Sequence, residues 1–149
     1  MKRFVFTVLV MLVSVSSAYA VEGMVKVKSA LTVDETVNKM QAVLEEKGMT
    51  IFNRINHSDA AHKVGINLSE TVLLIFGNPK AGSLLMQCQQ EVAIDLPLKA
   101  LIWKDEKDQV WISYSDPRYL EQKYNIKGCE TILSKMEKGL QGMVKLAVK

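Results

Sequence analysis

The chain has 149 residues, with 19 Lys and Arg against 16 Asp and Glu. Two of the basic residues, Lys2 and Arg3, sit in an N-terminal leader, so the remaining 17 nearly balance the 16 acids. The sequence pI near 8.8 is partly a property of that leader and gives no ground for a nucleic-acid partner or an anionic membrane surface.

Phe4 to Val13 is an apolar run broken only by Thr7. It follows the two basic residues, and Ala18-Tyr19-Ala20 closes the segment. This is the pattern of a secretory signal peptide cleaved after Ala20, which makes the mature protein periplasmic or secreted. The run is shorter than the roughly 20 apolar residues a membrane span needs. No cysteine follows the cleavage point, so no stable membrane anchor is expected after processing. Val21 to Lys149 is the length of one domain and can bury a core without staples.

Met24 to Val27 reads as a short strand. Thr32 with Glu35 makes a capping box, in which each satisfies a free amide at a helix start. Val33, Val37, Met40 and Leu44 then share one helical face, and Gly48 is a left-handed stop. Met49 to Ile55 is predicted as a strand with Ile51 and Ile55 on one face and Phe52 on the other. His57-Ser58-Asp59 interrupts it, and Asp59 is placed as the cap of a short helix through Lys63, ended by Gly65. Thr71 to Phe76, "TVLLIF", is a continuous apolar run and predicts a central strand covered on both faces.

Pro79 fits the first turn of a helix that continues through Leu84, Leu85 and Cys88. Ala93 to Leu96 fits no single class. Leu98 to Lys104 and Gln109 to Ser115 are strands joined by the polar hairpin loop Asp105 to Asp108. Asp116-Pro117 opens a short helix through Tyr124. Cys129, Ile132, Leu133, Met136, Leu140, Met143, Val144 and Ala147 form the stripe of an amphipathic helix expected to lie on a sheet. The fold class that follows is α+β: one compact domain with a mostly antiparallel or mixed sheet, packed helices and a C-terminal amphipathic helix.

The segment "FGNPKAGS", Phe76 to Ser83, joins a strand to a helix start, where an anion can bind free amides. Gly82 stands directly before Ser83, in the place of the phosphate-loop lysine, and Pro79 removes one amide. The segment is therefore no nucleotide loop. It is expected to turn the chain, with Gly77 a candidate for positive φ and Lys80 a secondary anion contact. His57 and His62 are five apart and cannot grip one metal from one helix. His57 is the better functional candidate, at a strand end. The methionines fall on helical core stripes, without the close spacing of a copper site. Neither metal nor cofactor is expected. Asp95 and Lys99 flank Pro97 and read first as a salt bridge and second as part of a site. Cys88 and Cys129 are the only cysteines. Export and an even count predict a structural disulfide, with two separate buried thiols as the alternative.

"LLIFGNPKAGSLLMQ", "AIDLPLKALIW" and "VWISYSDPRYL" resemble the family called domain of unknown function 302. The resemblance runs from about Val33 to Tyr124. It implies a compact α+β domain that pairs as a homodimer, with no established activity. Positions that match include His57, Gly77, Asn78, Pro79, Lys80, Gly82, Met86, Asp95, Pro97 and Lys99. Cys88 stands where the family carries a small residue other than cysteine, which fits a disulfide particular to an exported member. The helix from Cys129 to Ala147 is expected as an addition to the family core.

The expected function is an exported domain that binds a small polar or anionic ligand or a partner. Its face would be built from His57, Asn78, Lys80, Asp95 and Lys99. One alternative is an enzyme using His57 as acid-base and Lys80 as anion clamp. The other is an interaction protein without a small-molecule site.

Overall fold

The computed structural model describes residues 21–149, so the expected signal peptide, residues 1–20, lies outside the described residues. Five strands are formed by Met24–Ser29 (β1), Thr50–Asn56 (β2), Thr71–Gly77 (β3), Leu98–Lys104 (β4) and Val110–Ser115 (β5). They make one sheet in the order β1-β5-β4-β3-β2, antiparallel at every pairing. The helices are Val33–Glu46 (α1), His57–Lys63 (α2), Pro79–Cys88 (α3), Pro117–Lys123 (α4) and Glu130–Ala147 (α5), with a 3-10 turn at Gln90–Ile94. The expected α+β class is borne out.

Local chemistry sets most boundaries. The Thr32–Glu35 capping box opens α1: the Thr32 amide donates to Glu35 Oε2 at 2.9 Å, and the Glu35 amide donates to Thr32 Oγ1 at 3.3 Å. Gly48, at φ +73°, turns the chain out of α1 in a conformation that penalises any Cβ. The predicted stripe Val33, Val37, Met40 and Leu44 is buried. α2 departs from expectation. Its cap is Asn56, whose Oδ1 accepts from the Asp59 amide at 3.0 Å, so Asp59 lies inside the helix.

The helices α1 and α5 share one side of the sheet. Val72, Leu74 and Phe76 of β3 point into that core with Ala100, Ile102, Ile112 and Leu140. β3 is therefore buried on one face, not on both. Its other face carries Leu73 and Ile75, half-buried beside Leu101, Trp103 and Trp111. The run is continuous in sequence because this outer face is also apolar. Lys26 and Lys28 lie over the Trp103 and Trp111 rings, each 5.4 Å from the centroid. The α5 helix packs chiefly along α1 and α4 rather than across the strands.

β2 contains a bulge. Ile51 pairs with Phe76, yet Asn53 pairs with Ile75, so Phe52 is the extra residue. A bulge reverses the alternation of faces. Ile51 therefore faces the core with Phe76, while Ile55 faces outward with Leu73. They do not share the face the simple alternation gives them, and Phe52 is left 51% exposed.

A second apolar cluster holds Leu85, Val92, Leu120, Ile126, Cys129 and Leu133, at the junction of α3, α4 and α5. The Cys88–Cys129 disulfide closes it, with Cα atoms 6.4 Å apart. This separation lies within the span a disulfide bridges. The bond ties the end of α3 to the start of α5.

Candidate functional site

Away from the disulfide, α3 and α5 enclose a groove of about 1150 Å³. One wall is α3, through Ala81, Gly82, Leu84 and Met86. The facing wall is α5, through Met136, Gly139, Leu140, Gly142, Met143 and Leu146. Phe52, Met49 and the segment Leu96-Pro97-Leu98 complete it at the sheet end. The lining is predominantly apolar. The bulge explains how Phe52 reaches it, because the extra residue is aimed off the regular pleat.

Two glycines of α5 shape the cavity. A Cβ placed at Gly139 or Gly142 would meet nothing within 4 Å, so their missing side chains leave open volume in the groove wall. Glycine inside a helix costs about 1 kcal/mol relative to alanine. The "GLQG" pair is the sequence signal that could have located this wall.

Of the five expected site residues, Asn78 and Lys80 line the groove. Asn78 is engaged as a cap: its Oδ1 accepts from the Ala81 amide at 3.1 Å. Its carbonyl accepts from the Gly82 amide at 2.9 Å. Pro79 has no amide, so the helix start offers no cradle beyond the amide of Lys80. Any anion contact at this end comes from the Lys80 ammonium. Gly77 is not in the left-handed region; a Cβ there would sit 3.5 Å from Phe52 and 3.6 Å from Pro97, which is ordinary contact. Its expected need for positive φ does not hold.

His57 lies elsewhere. Asn56 pairs with Val72 at the start of β3, whereas Thr50 pairs with Gly77 at its end. Seven residues of strand therefore separate His57 from Lys80 by roughly 20 Å. The two cannot act on one small molecule. His62 and His57 are both exposed, and among the described residues no three His, Cys, Asp or Glu side chains could hold a metal.

Asp95 and Lys99 do not pair with each other. Asp95 Oδ2 accepts from Lys123 Nζ at 2.7 Å and from the Tyr124 hydroxyl at 2.8 Å. Lys99 Nζ donates instead to the carbonyls of Asp95 and Pro97, at 3.3 and 3.1 Å. Asp95 thus fastens the chain before β4 to the end of α4. Burial raises its pKa, but the Lys123 and Tyr124 hydrogen bonds outweigh it and hold the carboxyl below the usual aspartate value. A carboxyl depressed in the folded state stabilises above its unfolded pKa and loses that contribution as pH falls through the folded value. Asp95→Asn is therefore expected to lower stability near neutral pH, with the gap to wild type closing below about pH 4. Urea titrations across pH check this, and a gap independent of pH would contradict it.

The same α+β sheet recurs in the crystal structure of an uncharacterized conserved protein DUF302 from Bacillus stearothermophilus. The TM-score is 0.78 over 87% of this chain and all of that one, at 17% identity, which shows the shared fold. A 104-residue stretch, 70% of this chain, is 38% identical to the fluoride-specific ion channel FluC 1 of Brucella suis and covers 41% of it. Stretches of the same length and identity in FluC 1 of Brucella abortus and FluC 2 of Brucella melitensis cover 38% of each. The chain thus spans well under half of these relatives. No helix among the described residues is long and apolar enough to cross a membrane. The family profile covers residues 25–145, which takes in β1 and nearly all of α5, so the last helix falls within the family's span and not beyond it. Over that length, which includes the α3 wall of the groove and all of the α5 wall but Leu146, the chain belongs to the family described as "Domain of unknown function DUF302".

Proposed function

We propose that the protein is an exported binding protein whose groove between α3 and α5 receives a small molecule with an apolar body. One observation carries this reading. A recess of about 1150 Å³, slightly larger than the roughly 300–1,000 Å³ usual for small-molecule sites, has two glycines of a helix in its lining, each with open space where a Cβ would stand. The polar ligand expected from Asn78, Asp95 and Lys99 fits less well, because Asp95 and Lys99 are engaged in structural bonds outside the lining.

The enzyme alternative finds little support. Among the described residues the titratable side chains of the groove lining are all lysines, and His57 is at the other end of the sheet. Fluoride conduction is not carried over from the Brucella channels, since the shared stretch is under half of each. Pairing of two copies draws support from the outer sheet face, where Leu73, Ile75 and Leu101 stand half-buried with no covering α1 or α5.

Native mass spectrometry of the protein expressed with its leader tests these points together. The expected species begins at Val21, forms a dimer and retains an apolar compound that organic solvent extracts. A protein that leaves the cell extract empty, and that fails to brighten N-phenyl-1-naphthylamine in solution, would overturn the binding reading.

A further inference from the structure

Resting on that binding reading, we infer that the groove's occupant is a single-chain amphiphile with an anionic head, the tail lying between α3 and α5 and the head held by lysines of the rim. The apolar lining is fringed by Lys80 on α3, Lys135, Lys138 and Lys145 on α5, and Lys47 beyond α1. Lys149 lines it as well, and among the described residues no aspartate or glutamate side chain does. This asymmetry is local, because outside the leader the chain carries 17 basic against 16 acidic residues.

The four lysines of α3 and α5 also lack carboxylate partners. Some cations elsewhere are matched, as Lys104 is by Glu70, Lys123 by Asp95 and Arg118 by Glu121, while others such as Lys26, Lys28 and Lys63 are not; what sets the four apart is that they gather around one apolar recess. Lys47 meets Glu46. Among the described residues Lys80, Lys135, Lys138 and Lys145 form no ion pair. The acid nearest in sequence to the three lysines of α5, Glu137, accepts from Gln141 Nε2 one turn along the helix at 3.3 Å.

Lysine suits this arrangement. Its aliphatic stem can lie on apolar surface while the ammonium stays at the water boundary. A hydrocarbon tail would fill the floor made by Leu140, Met143 and Leu96, and the carboxylate or sulfate at its end would meet ammonium groups left without counter-charge. A neutral hydrophobe would leave those charges unanswered, and an alkyl cation would be repelled. The recess is concave, which matches one chain better than the broad plane of a bilayer.

The test uses mature wild-type protein loaded with N-phenyl-1-naphthylamine. The dye is displaced by dodecanoate, dodecanol and dodecylammonium, each below its aggregation concentration. Dodecanoate is expected to bind at least about tenfold more tightly than dodecylammonium, with dodecanol between them. Shortening the carboxylate should weaken it about three- to fourfold per methylene. The double variant Lys80→Glu, Lys138→Glu changes two exposed side chains. It should weaken dodecanoate about tenfold and leave dodecanol within about twofold.

Equal displacement by all three compounds overturns the anionic head and leaves the groove reading intact. Displacement by none, together with no dye binding, removes both. Binding to phosphatidylglycerol vesicles without binding to monomeric dodecanoate overturns the inference in favour of a membrane surface.

Discussion

Replacing both Cys88 and Cys129 with alanine is expected to lower stability by about 4 kcal/mol. The bond closes a loop of 41 residues, and the chain-entropy account assigns a loop of that size roughly this magnitude. Cys129 is 3% exposed within the second apolar cluster, so losing its sulfur also leaves a small void, which adds to the cost. For a domain of this length the loss corresponds to a fall in Tm of about 10 °C or more. The damage should be uneven. The sheet and α1 are held by a separate core, whereas the union of α3 with α5 rests on the bond and the six buried residues beside it. Hydrogen exchange is expected to quicken first in α3 and the start of α5. Thermal melts of wild type with and without reductant, beside the double alanine variant, check the magnitude. A change in Tm under about 2 °C would show that the bond does not constrain this junction.

The parts of the fold legible in sequence are those decided within a few residues. The Thr32–Glu35 box, the Gly48 stop and the stripe of α5 each act over one or two turns, and each is found where it was expected. The errors are non-local. Nothing in "TIFNRIN" marks Phe52 as an extra residue, because a bulge is defined by the partner strand. Simple alternation therefore puts Ile51 and Ile55 on one face, and the bulge puts them on two. The continuous run in β3 predicted two covered faces, since apolar composition cannot distinguish a helix above the strand from an open face.

The site shows the same division. Lys80 was found because a strand-to-helix junction is visible in sequence. His57 invites grouping with it because both follow strands. But β2 and β3 are antiparallel, so the ends of successive strands point to opposite ends of the sheet. Asp95 and Lys99, four residues apart, invited pairing, and the topology brought Lys123 closer. The lysines of α5 are exposed; that they border a cavity depends on where the disulfide places α3.

Gly139→Leu combined with Gly142→Leu is expected to raise stability and abolish binding together. Both positions lie inside α5 and are exposed. Leucine is close to alanine in helix propensity, so each replacement should favour the helix by about 0.8–1 kcal/mol. An ideal Cβ at either position meets no atom within 4 Å, so no clash offsets that gain. The pair should raise Tm by several degrees. The added side chains would project into the recess that Phe52, Leu84 and Met86 border from the opposite side. Dye affinity should fall at least about tenfold. The companion variant with alanine at both positions separates the causes, because it brings most of the helix gain and little of the bulk. It should melt above wild type and bind the dye nearly as well. A groove without a binding role predicts the stabilisation alone, with no selection against filling it. Wild-type dye affinity in the leucine variant would therefore place the binding site elsewhere on the molecule. Lost affinity accompanied by raised Tm would show that the two glycines hold the groove open at the expense of the helix that carries them.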